Sequence, residues 1–188
     1  MKEFVYIVYK FTLSAYLEVK MKGVYLRKVT RDNWKKACTI EVKPEQQHFL
    51  GSVAYCLARA YADPYHQPIE PYVIYKDEEI IGFFWFTLTC DKATCILCGF
   101  RIDRNYQGLG LSKEALRAFI DLLKQEYIEC VSVQLFVETD NTIAKRLYES
   151  FGFVPVLTND ASGLVLMKYI LKYNVEIKLI NEDYLDDG

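Results

Sequence analysis

The stretch Asp103-Arg104-Asn105-Tyr106-Gln107-Gly108-Leu109-Gly110-Leu111-Ser112 constrains this chain more than any other. An apolar run, Cys95 to Ile102, precedes it, and an amphipathic run, Ala115 to Tyr127, follows. Strand, glycine loop, helix: that order makes an anion site. Two glycines allow backbone conformations and close approaches that a Cβ would block. The first N–H groups of a helix lack partners inside it, and the helix dipole favours negative charge there. A phosphate-bearing cofactor suits such a loop. It is not the dinucleotide G-x-G-x-x-G, because Lys113 stands where the third glycine belongs, and the Gly-Lys-Ser/Thr ending of a Walker loop is missing.

Around this loop the chain reads as one mixed α/β domain over residues 23–170. Val24 to Val29 is rich in β-formers and reads as a first strand. Trp34 to Val42 reads as a short helix ended by Pro44, and Glu45 to Tyr61 as a longer one with Phe49, Leu50, Val53, Ala54, Leu57 and Ala60 at helical spacing. Pro64, Pro68 and Pro71 mark a loop. Tyr72–Tyr75 and Ile80–Leu88 form a hairpin about Asp77-Glu78-Glu79, and Thr94–Ile102 is a fourth strand. After the glycine loop, Leu116, Phe119, Ile120, Leu123 and Tyr127 share one helix face. Val131–Val137 alternates as a strand with Val131, Val133, Leu135 and Val137 inward. Asn141 to Phe151 is a helix with Ile143, Ala144, Leu147, Tyr148 and Phe151 toward the core, ended by Gly152. Phe153–Leu157 and Leu164–Lys172 are late strands. Residues 1–22 read as an extension with an extra strand, although Met21 could be the natural start; residues 171–188 read as a strand and an acidic tail.

Two segments carry a resemblance. Gln107-Gly108-Leu109-Gly110-Leu111-Ser112 resembles the acetyl-CoA pyrophosphate loop of the GNAT N-acetyltransferase superfamily. Asn141 to Phe153 resembles that superfamily's Asn-x-x-Ala-x-x-Leu-Tyr-x-x-x-Gly-Phe helix, about thirty residues on. The stretch Gln46 to Tyr61, the proline-rich loop and Ile80-Ile81-Gly82-Phe83 are similar to bacterial spermine/spermidine (diamine) acetyltransferases. The resemblance implies a GNAT-type fold: a central, twisted, mostly antiparallel sheet, splayed between strands 4 and 5 and flanked by helices. It implies direct acetyl transfer from acetyl-CoA, the cosubstrate, to the primary amine of a small molecule such as spermidine or spermine. No metal is required. The alternatives are acetylation of a peptide or protein N-terminus or lysine, and a CoA-binding module without turnover.

Three demands of that chemistry assign residues. An alkylamine has a pKa near ~10.4, so on the order of one in a thousand is neutral at pH 7, and a site must deprotonate it. The developing oxyanion needs a donor, which a splayed fourth strand can supply near Phe100 to Ile102. The departing thiolate needs a proton; the superfamily's tyrosine falls on Tyr148, a phenol that stays protonated at neutral pH, although a core aromatic is the plainer reading. The resemblance places the cofactor on Phe100, Ile102, Gln107, Gly108, Leu109, Gly110, Leu111, Ser112, Asn141, Ala144 and Lys145. Arg146 is a further phosphate candidate, and Asn141 doubles as an N-cap. Ser112 departs from the usual Gly or Ala.

Glu70, Glu138 and Tyr72 are candidate bases by location, and a water chain is the alternative; His48 and His66 read as surface or loop residues. A polyamine wants carboxylates along a channel, and Glu41, Glu45, Asp63 and Glu70, with Tyr72, lie in the substrate half. A second departure bears on this. Polyamine-like members carry an Asp-Arg pair on the fourth strand where this chain has Cys98-Gly99, and Gly99 itself predicts a bulge.

The net charge of −2 carries no nucleic-acid footprint. The run Phe4 to Leu17, broken by Lys10 and Ser14, is shorter than the roughly 20 residues a membrane span needs and has no clear cleavage site. Six cysteines without an export signal read as thiols of a cytoplasmic protein. Cys95 and Cys98, three apart on a strand, point to opposite faces and cannot share a metal. Many members of the superfamily pair through late strands, so Leu164 to Ile180 is either a homodimer interface or an intramolecular sheet edge.

Overall fold

A computed structural model of the chain describes residues 23–62, 68–159 and 161–171. The N-terminal extension, the segment with Asp63, Pro64 and His66, and the C-terminal strand and tail beyond Leu171 lie outside the described residues. Seven strands form one sheet: β1 Val24–Lys28, β2 Glu70–Lys76, β3 Glu79–Leu88, β4 Thr94–Ile102, β5 Ser132–Glu138, β6 Val154–Asn159 and β7 Leu164–Ile170, in the order β1-β2-β3-β4-β5-β7-β6. Every pairing is antiparallel except β4 with β5. Helices α1 (Trp34–Ala37), α2 (Val53–Ala62), α3 (Leu111–Glu126) and α4 (Thr142–Phe151) complete the described elements, with 3₁₀ turns at Pro44–Phe49 and Arg104–Tyr106.

The sheet separates two apolar cores. Against one face, Leu116, Phe119, Ile120 and Leu123 of α3 meet Ile74, Phe84, Phe86 and Leu97, and Tyr148 of α4 joins Leu135, Phe153 and Met167. Against the other, Ala37, Val53 and Cys56 from the first two helices cover Val73, Ile80 and Phe83. Burying side chains of this size is worth about 1.5–3 kcal/mol each.

The parallel pair decides the architecture. β4 and β5 pair only at Thr94↔Ser132, Cys95↔Val133 and Ile96↔Gln134. β4 then runs six residues further and β5 four, so the strands part and leave a wedge. Gly99 supplies the divergence. Its φ is +61°, and the β3–β4 register jumps from Phe83↔Arg101 to Trp85↔Cys98, leaving an extra β4 residue opposite Phe84. Such a bulge bends the strand and tightens its twist.

Several local expectations need correction. The helix expected over Glu45–Tyr61 is two pieces, because Leu50 is extended (φ −136°, ψ 125°) and Ser52 accepts the Tyr55 N–H at 3.1 Å, starting α2 afresh. Pro71 belongs to β2, not a loop: its missing N–H falls past the last β1 pair, Lys28↔Tyr72, and its carbonyl accepts from Val29 N–H. α3 begins at Leu111, directly on the glycine loop and ahead of the amphipathic run, where Gly110 caps it in the left-handed region. Val131 is exposed just before β5, and Ser132 is buried instead, its hydroxyl 3.2 Å from that of Thr94. Ile143, in the first turn of α4, is 65% exposed rather than in the core.

Candidate active site

The wedge between β4 and β5 opens into a cleft of about 460 Å³. Three walls surround it. β4 and β5 supply Leu97 to Ile102 and Leu135 to Glu138; α4 and its cap supply Asn141, Ile143, Ala144, Leu147 and Tyr148; the segment before α2 supplies Val42, Lys43, Glu45, Gln46, Phe49 and Leu50. Gln107, Gly108 and Ser112 close the end next to α3.

The glycine loop is held in a defined shape. Asp103 caps the short turn by accepting the Asn105 N–H at 3.0 Å. The Gln107 side chain donates to the Ile102 carbonyl at 2.9 Å, tying the loop back to the end of β4. Gly108 (φ +81°) and Gly110 (φ +78°) are both left-handed, and a Cβ on either would meet nothing within 4 Å. Glycine is required there by backbone conformation, with open space above the loop. No side-chain hydrogen bond caps α3, and among its first N–H groups that of Lys113 donates to the Gly110 carbonyl at 3.1 Å.

On the far wall, Asn141 accepts the Ala144 N–H at 3.1 Å and so starts α4. Gly152 (φ +111°) ends it, and the N–H groups of Gly152 and Phe153 both reach the Tyr148 carbonyl. This short, doubly capped helix fixes Tyr148, which is 8% exposed, with its ring 5.5 Å from that of Phe153. Burial above all raises its pKa well beyond the ordinary phenol value; the nearby Cys98 thiol and Glu138 carboxylate add to the push. Tyr148 also lines the cleft. Cys98, also in the cleft, is pushed up to about 11 by burial, with Arg59 drawing it back.

Of the residues read from the sequence, Phe100, Ile102, Gln107, Gly108, Ser112, Asn141, Ala144, Glu138, Glu45 and Tyr148 line this one cleft. Gly110 and exposed Leu109 continue the loop outside it, Leu111 is buried in the core as the first residue of α3, and Lys145 donates to the Thr139 carbonyl at 3.4 Å. Three substrate-half residues stand outside the lining. Glu41 pairs with Arg104 at 3.2 Å, Glu70 pairs with Lys28 at 2.8 Å, and Tyr72 is buried in the core between the Phe84 and Phe86 rings. His48 lies on Phe49, ring to ring at 3.8 Å, and does not line the cleft.

Two cleft residues escaped sequence reasoning. Gln46 accepts the second hydrogen bond of the Gln107 amide at 2.9 Å. Arg101 is 6% exposed and donates to the carbonyls of Gly51 (2.7 Å) and Gly99 (3.0 Å), so it fastens the turn before α2 onto the bulge. Burial lowers its pKa. The signal for Arg101 is a lone charge in the apolar run Cys95–Ile102; Gln46 has none, since its partner is 61 residues away.

Among the described residues, no cluster of three or more His, Cys, Asp or Glu could hold a metal, and no helix is long and apolar enough to cross a membrane. All six cysteines are described and none is in a disulfide.

The family model of the acetyltransferase (GNAT) family matches residues 29–153. The chain is 30% identical over 137 residues to a spermine/spermidine N(1)-acetyltransferase of Bacillus subtilis strain 168, covering 70% of this chain and 88% of that protein. A probable spermine N(1)-acetyltransferase of Bacillus subtilis subsp. natto matches equally well. In fold, the chain is similar to a spermidine N-acetyltransferase of Vibrio cholerae solved with CoA and spermine (TM-score 0.61, 15% identity, 79% of this chain and 95% of that one). It is also similar to an aminoglycoside acetyltransferase solved with coenzyme A (TM-score 0.65, 19% identity, 79% and 95%). With the splayed sheet, the glycine loop and the Asn141–Phe153 helix around one cleft, the chain belongs to the acetyltransferase (GNAT) family.

Proposed function

We propose that this chain binds acetyl-CoA in the β4–β5 cleft and transfers the acetyl group directly to the primary amine of a small molecule, with a polyamine such as spermidine or spermine as the leading acceptor. One observation carries the reading: the glycine loop at the head of α3 and the Tyr148 phenol border the same wedge. In this role the pyrophosphate lies on the N–H groups from Gly108 to Ser112, and the pantetheine arm follows the edge of β4 toward Tyr148, bonding Asn141 on its way. Beyond Ile96, β4 no longer pairs with β5, so backbone groups on that edge are available to the thioester carbonyl as acetyl transfer begins. The amine attacks the carbonyl carbon and the C–S bond breaks. Tyr148 gives its proton to the departing thiolate.

The relatives' names support a polyamine acceptor, as do the carboxylates Glu45 and Glu138 in the cleft. Glu138, close enough to Tyr148 to shift its pKa, is the strongest candidate to take the amine proton, directly or through water. The test is thiol release from acetyl-CoA across a panel of amines: polyamines, aminoglycosides, amino acids and peptides. Turnover with spermidine or spermine, sharply reduced in Tyr148→Phe, is the expected result. Cofactor binding without thiol release on any amine would overturn it.

A further inference from the structure

The loop that reads as the cofactor's and the segment before α2, which forms another wall of the cleft, are sewn together. Glu41 N–H donates to the Asp103 carboxylate at 3.1 Å, and Arg104 N–H donates to the Glu41 carbonyl at 2.7 Å. The Arg104 guanidinium meets the Glu41 carboxylate at 3.2 Å, although both side chains are about half exposed and that pair contributes little. The last stitch lies inside the cleft. The Gln107 side-chain amide has two N–H donors; one goes to the Ile102 carbonyl and the other to Gln46 Oε1, each at 2.9 Å. Both donors of one amide are thus committed, one to the end of β4 and one to the 3₁₀ turn Pro44–Phe49.

That turn is short and irregular. Pro44 opens it, and Leu50 leaves it in an extended conformation. Its ends are closed by local bonds, Gln46 N–H to Lys43 O and Leu50 N–H to Gln47 O, which shape the turn without tying it to the glycine loop. Yet it carries Glu45, Gln46 and Phe49 into the cleft. Arg101 holds the far end of the turn at Gly51 and Asp103 holds the chain before it at Glu41; the Gln46–Gln107 bond is the tether from the turn itself to the glycine loop.

We propose that Gln46 is a positioning residue for acetyl transfer. Acting through Gln107, it couples the cofactor loop to the acceptor-side wall, so that each end is well formed only when the other is. The proposal rests on the CoA reading above. It assigns Gln46 no chemistry of its own; removing it loosens the glycine loop and lets the wall carrying Glu45 and Phe49 drift.

The test is a double-mutant cycle on the full chain, with CoA binding measured by calorimetry and acetyl transfer by thiol release. Gln46→Met keeps the length of the side chain and removes the acceptor; Gln107→Met removes the donor. Gln46→Met weakens CoA binding about three- to tenfold, the worth of one neutral hydrogen bond. It raises the amine KM by a similar factor and changes kcat less than twofold. In the Gln107→Met background the same substitution has almost no further effect on CoA binding, because the bond is already gone. Thermal unfolding of the unliganded variants separates coupling from a damaged fold: the melting temperature of Gln46→Met stays within about two degrees of the parent. Additive losses in the two backgrounds, or an unchanged CoA affinity in Gln46→Met, overturn the proposal and leave the CoA reading intact. Failure of the unaltered chain to bind CoA overturns both.

Discussion

Tyr148 belongs at once to the core and to the lining of the cleft. Its ring joins the cluster with Leu135, Phe153 and Met167, while its pKa responds to two cleft groups, Cys98 and Glu138. Burial disfavours the phenolate, so the group stays a phenol at neutral pH and is in its acid form when a thiolate departs. Replacing Tyr148 by Phe keeps the packing and removes the proton. Acetyl transfer should fall about 10²-fold while CoA binding stays within twofold, measured by thiol release and calorimetry. The raised pKa has a second consequence. An ordinary phenol would ionise near pH ~10 and shut off a general acid there; Tyr148 stays protonated beyond that point, so a pH–rate profile should show no loss of kcat centred near 10. The two loop glycines make a different kind of demand. Gly108→Ala and Gly110→Ala meet no steric obstacle, yet each forces an L-residue into the left-handed region at about 1–2 kcal/mol. Each should weaken CoA binding severalfold by calorimetry, with only a modest drop in urea midpoint.

Elements position these residues by where they stop pairing. The β4–β5 wedge needs β4 held firmly from its other side, by β3, where Gly82 pairs with Ile102 and leaves no room for a side chain. A Cβ there would sit 2.5 Å from the Arg101 carbonyl and 2.9 Å from Ile74 Cδ1. The carbonyl belongs to the strand and cannot swing away, so Gly82→Ala should destabilise the fold by about 1–3 kcal/mol in urea unfolding and lower activity with it. The elements carrying the site were legible in the sequence where the signal was local. The glycine loop, the Asn141 cap, the Gly152 stop and the Gly99 bulge all follow from residues within a few positions of one another. What escaped depended on distant partners. Ile143 obeys the helical spacing of a core residue, but it lies on the open side of the cleft and stays exposed. Tyr72 sits in the expected strand and Glu70 in what reads as the proline-rich loop but begins β2, and neither placement says which group each will meet; Tyr72 went to the core and Glu70 to Lys28. Gln46 and Gln107 meet because the turn before α2 folds back over the end of β4, which no periodicity encodes.

At the scale of the whole molecule, the sheet keeps several weak acids in their neutral forms. Burial raises the thiol pKa of Cys95, of Cys98 to about 11, and of Cys130 despite the lowering effect of its contact with Ser132. Tyr72 and Tyr127, in contact with each other, are raised by burial as well. In the unfolded chain the same thiols ionise near ~8.5 and the phenols near ~10. Between those values and the higher folded ones, the unfolded chain has lost protons that the native protein keeps. The unfolded state then binds fewer protons, and stability falls as pH rises. The contribution is therefore intact below pH ~8.5 and is withdrawn above it, first by the thiols and then by the tyrosines. A thiol whose folded pKa lies above the range loses about 2 kcal/mol between pH 8.5 and 10. Urea unfolding under reducing conditions should show a midpoint that drops steadily from pH 8 to pH 10. Cys98→Ala should make that drop shallower by one group's share, whatever it does to the midpoint at pH 8. A midpoint that stays level across this interval would mean the thiols ionise as readily in the native protein as in the unfolded chain, and that solvent reaches the β4–β5 wedge down to Cys98 and Cys95.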